Sequence, residues 1–195
     1  MKCESTDYEA TLDEIVKRHQ KLFSDYKKMN GEQKNAVRDW AKRFNLGQRE
    51  FRFAKAQYIS GAALKKVQDK KKSQIQGGAF VMEHVIPKTE YIVDSIINAC
   101  EKNPAKANKE IENIIRNRMR ICFITNEQDK GLGRKIPADL EKKILSGKTV
   151  PEKELFARYF ESENKALKND TIYKIKKVEF KDGRAHITID KGFVI

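Results

Sequence analysis

Ala79-Phe80-Val81-Met82-Glu83-His84-Val85-Ile86-Pro87-Lys88 opens as an apolar run and closes on an acid, a histidine and a proline. The run suits a short buried strand, and the proline marks where its ladder must stop. Glu83 and His84 at that end offer a hard oxygen ligand beside an imidazole that titrates near pH ~6.5 in reference peptides. Hydrolysis of a phosphodiester asks for those two things. A cation takes charge from the phosphate, and a base takes a proton from water.

A second stretch completes the pattern: Arg120-Ile121-Cys122-Phe123-Ile124-Thr125-Asn126-Glu127-Gln128-Asp129-Lys130. Its apolar, β-branched first half reads as a buried strand. Thr125 or Asn126 is then the N-cap of a helical turn carrying Glu127 and Asp129.

A strand ending in Glu-His, a second strand and a helix bearing an acid or amide resembles the HNH, or ββα-metal (His-Me finger), nuclease superfamily. The resemblance covers residues 78–136. It implies His84 as general base, Glu83 as the first metal ligand, and Asp129 as the ligand from the helix, with Asn126 as the alternative. Three departures stand beside it. Asp129 follows His84 by 45 residues (129 − 84), beyond the family's spacing, so a helical insertion is expected between the strands. Arg120 or Ile121 stands where the family has a bracing asparagine. No paired Cys-x-x-Cys motifs flank the core, so no structural zinc is expected. Neighbouring strand residues point to opposite faces, so a site shared by Glu83 and His84 requires the strand to end or bulge there.

The oxygen donors of Glu83, Asp129 and Asn126 favour one Mg²⁺ or Mn²⁺. The resemblance further implies 5′-phosphate and 3′-hydroxyl products. Arg116, Arg118 and Arg120 before the second strand, and Lys130, Arg134 and Lys135 after the helix, are the expected phosphate contacts.

Charge points the same way. The 195 residues carry 41 Lys and Arg against 28 Asp and Glu, a net charge of +13. That balance favours a polyanionic partner, with double-stranded DNA the leading expectation. No apolar run approaches the ~20 residues that span a bilayer, and the N-terminus carries no secretion-signal pattern, so a cytoplasmic protein with no membrane partner is expected. Cys3, Cys100 and Cys122 are odd in number and scattered, which reads as free thiols.

Apolar positions Leu12, Ile15, Val16, His19, Leu22, Phe23, Tyr26 and Met29 predict a first helix, stopped at Asn30-Gly31. His19 reads as a core-edge histidine. Ala36, Val37, Trp40, Ala41 and Phe44 predict a second helix, and Phe51, Tyr58 and Leu64 a third from Gln48. The third runs into Lys65-Lys66 and Lys70-Lys71-Lys72, either a nucleic-acid track or a solvated helix end. Gln76-Gly77-Gly78 breaks the chain. Two inserted helices follow at 91–101 and 105–119, then a helix at 152–167. A hairpin closes the chain, with strands at 172–180 and 184–189 around Lys181-Asp182-Gly183.

The expected fold class is therefore α+β: a mainly helical protein around a ββα-metal core, with a C-terminal hairpin. Residues 1–77 form a helical region for DNA grip or dimerisation, 78–136 the core with its insertion at 91–119, and 137–195 the last helix and hairpin. The function expected is a metal-dependent DNA endonuclease, of restriction, phage or mobile-element type. Cutting a palindrome would call for a homodimer. The alternatives are a nucleic-acid-binding protein without catalysis, and an RNase or toxin with the same core.

Overall fold

In the computed structural model, Leu12, Ile15, Val16, His19 and Phe23 form the buried stripe of helix α1, Tyr8–Phe23. The structure describes residues 8–43, 56–75, 79–133, 135–162 and 165–195. A 3-10 turn, Tyr26–Lys28, follows α1. Asn30 then acts differently from expectation. Its side chain accepts from the Gln33 backbone N–H at 2.9 Å, and the Gln33 side chain accepts from the Asn30 N–H at 3.0 Å. This reciprocal cap starts α2, Gly31–Arg43, rather than ending the first helix.

The second half of this helical layer is the predicted insertion. A π-helical turn, Thr89–Val93, buries three consecutive residues, Tyr91, Ile92 and Val93. Strand β2, Phe80–His84, precedes it, and α5, Asp94–Lys102, follows. A 3-10 turn from Pro104 leads to α6, Ala107–Arg118. Ile96, Cys100, Ile111 and Ile115 meet the α1 stripe in one apolar core.

The sheet contains a strand that the sequence pattern concealed. Tyr58–Ser60 is β1, not the middle of a third helix, and all three residues are buried. Three residues covered on both faces give no alternation to read. The expected start of that helix, near Gln48 and Phe51, lies outside the described residues. Strand β2 is Phe80–His84 and β3 is Ile121–Thr125, paired antiparallel. β1 runs parallel to β3 and antiparallel to β4, Thr171–Lys181. β5, Arg184–Ile189, pairs with β4, and the short β6, Phe193–Val194, lies on β4 as well. The order is β2-β3-β1-β4-β5. Asp182 and Gly183 both adopt positive φ, 51° and 74°, the mirror-image turn that matches the strand twist of a two-residue hairpin.

The short helices fill in around the sheet. α3, Gly61–Val67, starts at Ser60, whose hydroxyl accepts from the Ala63 N–H. α4 is one turn, Lys72–Ile75, and α7 one turn, Asn126–Asp129. α8 is Ala138–Leu145. The helix expected over 152–167 is a 3-10 turn, Glu152–Phe156, leading into α9, Ala157–Phe160.

The chain is thus a mixed α/β protein, rich in helix, with a six-stranded sheet. Its sheet draws strands from each of the three expected segments, β1 from 1–77, β2 and β3 from 78–136 and β4 to β6 from 137–195. One face of the sheet packs Tyr58, Cys122, Ile124 and Ile172 against Phe156 and Tyr159. The other packs Ile59, Ile121, Phe123 and Val178 against Ala63 and Val67. Cys100 and Cys122 are free and buried; Cys3 lies outside the described residues. Among the described residues no helix is long and apolar enough to cross a membrane.

Candidate active site

The β2–β3 ladder is unbroken from Phe80↔Thr125 to His84↔Ile121. Directly paired residues share a face, so Glu83 lies with Val81, Cys122 and Ile124, while His84 lies with Met82, Ile121 and Phe123. The two core clusters divide along the same line. Glu83 and His84 therefore leave the strand on opposite sides. The strand ends at His84, as the sequence requires, but it does not bulge there.

Glu83 faces a residue that the sequence reading passed over. Arg158, on α9, is buried and donates in four directions. Its Nε donates to Val85 O at 3.0 Å and its Nη1 to Gly133 O at 3.0 Å. Its Nη2 donates to the Glu83 carboxylate and to His84 O. One guanidinium thus ties the end of β2 to the loop that follows α7. The available signal was an arginine inside the apolar run Leu155-Phe156-Ala157-Arg158-Tyr159-Phe160, where a charge must be paired to be buried.

The charge of Asp129 also acts on Glu83. Burial raises the Glu83 pKa and the negative charge of Asp129 adds to the rise, while Arg158 opposes it. The buried Tyr159 phenol is pushed well above its ordinary range by burial, with Cys122, Glu83 and Asp129 adding to the rise and Arg158 opposing it. Thr125 is the N-cap of α7, with its hydroxyl accepting from the Gln128 N–H at 3.3 Å. Asn126 is the first residue of α7 and its N–H donates to Ala79 O at 3.0 Å. It sits three residues before Asp129, hence on the same side of the turn.

Gln128 sets the position of that turn and was also missed. It is fully buried, and its Oε1 accepts from Ser60 Oγ at 2.6 Å and from the Thr125 N–H at 3.1 Å. Its Nε2 donates to Asp170 Oδ2 at 2.7 Å and to Ala166 O at 3.0 Å. All four bonds of the amide are made, so α7 is fastened to β1 and to the start of β4.

His84 has other neighbours. Burial pushes its pKa down to about 3, with the positive charges of Lys88 and Arg158 adding to the effect. Lys88 is buried and donates to Lys42 O at 3.2 Å, on the side of the helical layer. Burial takes its own pKa down to about 8. His84 is therefore a neutral imidazole at working pH.

The expected phosphate contacts divide. Arg116 pairs with Glu112 and Asp13 within the helical layer. Arg118 donates to Tyr91 O, Ser95 Oγ and Ile144 O, each within 2.8 Å. Arg120 donates to Arg116 O and Met119 O. These three arginines brace the insertion and are not gathered at Glu83. Lys130 and Lys135 are exposed on the loop past Asp129, and Arg134 lies outside the described residues.

Among the described residues no group of three or more His, Cys, Asp and Glu side chains could hold a metal ion. The ligands expected from the sequence, Glu83, Asp129 and Asn126, comprise two carboxylates and an amide. That is a hard-oxygen set, of the kind with which Mg²⁺ keeps several waters. No protein-family model, curated protein or solved structure matches the chain.

Proposed function

We propose that this chain is a metal-dependent DNA endonuclease of the ββα-metal kind. The observation that supports the reading is the β2-β3-α7 succession, with Arg158 donating to Glu83 and the charge of Asp129 acting on the same carboxylate. Glu83 and Asp129, with Asn126, would hold one Mg²⁺ or Mn²⁺, and such a cation when bound takes up charge on the scissile phosphate. Arg158 opposes the rise that burial gives the Glu83 pKa. His84, neutral at the last residue of β2, accepts the proton of the attacking water at a ring nitrogen. For this the imidazole must turn about the strand end toward the Glu83 side and leave the burial that holds its pKa at about 3, too low for a base. Lys130 and Lys135 supply positive charge for the flanking phosphates.

A second reading is a nucleic-acid-binding protein without catalysis. The observation favouring it is the placement of His84 on the face away from Glu83. An RNase with the same core is the third.

Supercoiled plasmid incubated with Mg²⁺ or Mn²⁺ separates them. Under the leading reading the plasmid is nicked or linearised, and EDTA, His84→Ala and Asp129→Ala each abolish cleavage in folded protein. Cleavage that persists in EDTA sinks the mechanism. DNA binding without cleavage or metal uptake supports the second reading, and cleavage of RNA alone supports the third.

A further inference from the structure

The lysine run after α3 is built into the sheet. Asp69 takes a left-handed backbone conformation, φ 61°, which a non-glycine residue adopts at a cost. This turn lays the chain against β5. The Asp69 N–H donates to Ala185 O at 2.9 Å and the Ala185 N–H to Lys70 O at 2.9 Å. The Ile187 N–H donates to the Gln68 side chain at 3.1 Å, and Arg184 Nη1 to Asp69 O at 2.8 Å. Lys71 thereby becomes the antiparallel bridge partner of Arg184. Across the hairpin, Arg184 is the register partner of Lys181.

Lys71, Arg184 and Lys181 therefore form a cross-strand row of three cations on one face. All three are exposed, and Lys70 is exposed beside them. Directly opposed like charges destabilise a sheet. Little in the protein relieves the repulsion. Arg184 donates to a carbonyl, Lys181 reaches Glu179 only at 3.7 Å, and Glu179 is shared with Lys177 at 2.7 Å. Among the described residues Lys70 and Lys71 make no ion pair. Three facing cations are a cost that a bound polyanion would offset.

The row is also linked to the candidate site. α3 begins at Ser60, bonded to Gln128 of α7, and ends at Val67 beside the Asp69 turn. Lys66 of α3 pairs with Glu127 of α7 at 3.5 Å. Seven helical residues rise about 10 Å, so one short helix separates α7 from the row.

We propose that Lys71, Arg184 and Lys181, with Lys70, form a ledge that binds the phosphate backbone of duplex DNA. The proposal rests on the nucleic-acid reading above and adds where the duplex lies relative to Glu83 and Asp129. It requires a rigid row of positive charge, which neutralises phosphates and releases their counterions.

Fluorescence anisotropy with a labelled duplex over a salt series tests it, comparing the full chain, K71E/K181E and K106E/K109E. Lys106 and Lys109 are exposed in the helical layer, so the two variants change net charge equally. K71E/K181E is expected to bind about tenfold or more weakly at low salt, with the slope of log K against log salt shallower by about 2. K106E/K109E should stay close to the parent. The ledge variant should also unfold at a higher denaturant concentration, because it replaces repulsion at Arg184 with attraction. Equal loss in both variants would show that affinity follows net charge and would overturn the ledge. So would loss of binding to phosphatidylserine vesicles with DNA affinity unchanged. A parent protein that binds no duplex overturns the nucleic-acid reading itself.

Discussion

Arg158 reaches from α9 to the Glu83 carboxylate and, with the same Nη2, to the His84 carbonyl one residue on. The side chain is 5% exposed, so its charge is matched within the protein. It also fixes the order of the candidate site: strand end, ion pair, then the loop beyond α7. A single cation holds all three.

Removing that cation should cost more than removing its partner. Arg158→Ala leaves Glu83 buried near Asp129 with no counter-charge and frees three carbonyls, for about 3–5 kcal/mol. Arg158→Lys should recover little, because an ammonium lacks the planar fork that reaches several acceptors at once. Glu83→Gln keeps an acceptor for the guanidinium and should cost about 1–2 kcal/mol. Urea midpoints of the three variants give the ranking. Equal losses for Arg158→Ala and Glu83→Gln would mean that the pair, not the carbonyl bonds, supplies the anchoring.

Gln128 should behave as a node rather than as a cap. Gln128→Leu removes four hydrogen bonds and leaves Ser60 and Asp170 short of a partner, at a cost of about 2–4 kcal/mol. Gln128→Glu keeps the acceptor for Ser60 but sets a carboxylate against Asp170. The new acid would have a raised folded pKa, so its penalty is full at pH 7 and shrinks as pH falls toward ~4.3, the unfolded value. Denaturation of the Glu variant at pH 7 and pH 5 checks the direction. A constant deficit would show that the carboxylates do not meet.

The strands and helices legible in the sequence were those with a period long enough to read. The α1 stripe, the two inserted helices and the hairpin around Asp182-Gly183 each extend over several repeats or carry an obligate turn. β1 was not legible, because Tyr58, Ile59 and Ser60 are all buried and a three-residue central strand has no polar face. Glu83 stood out as an acid beside a histidine at the end of an apolar run, whereas Asp129, in a polar stretch, was singled out only through the family resemblance. Arg158 did not stand out, since its side-chain partner Glu83 lies 75 residues upstream and its other acceptors are backbone carbonyls that no side-chain pattern encodes. The arginines before β3 misled for the converse reason. Three closely spaced cations resemble a phosphate clamp, yet Arg118 and Arg120 are occupied by carbonyls of the insertion and, at Ile144, of α8.

Gly61 should resist the substitution that helix propensity favours. It opens α3, and a Cβ there would stand 2.6 Å from Asp170 Oδ1. Asp170 has little room to yield, because Oδ1 accepts from the Thr171 N–H at 2.8 Å and Oδ2 from Ala62 and Gln128. Gly61→Ala should therefore destabilise by about 1–3 kcal/mol, although Ala exceeds Gly by about 1 kcal/mol inside a helix. In an Asp170→Ala background the clash is gone, and the same change should become neutral or favourable. Thermal midpoints of the four proteins form the cycle. Additive effects would show that Asp170 does not set the requirement for glycine.

His19 gives the acid limb of stability a defined origin. Its ring is buried in α1 with Nδ1 2.8 Å from Ile15 O, where Nδ1–H donates. Burial lowers its pKa to about 4, and the positive charge of Lys88 adds to the fall. The unfolded chain takes this proton near pH ~6.5, so between there and pH ~4 it binds a proton that the folded protein refuses. Stability is then full above pH 6.5 and falls as the solution is acidified, by roughly 3 kcal/mol across the window. His84, lowered to about 3, adds a second proton to the same limb. His19→Gln keeps an amide donor for Ile15 O and removes the titrating ring, so the slope between pH 6 and pH 4.5 should drop by about one proton. Urea midpoints of the parent and this variant at those two pH values measure the drop. An unchanged slope would mean that His19 is charged in the folded protein, and that the core around α1 admits water.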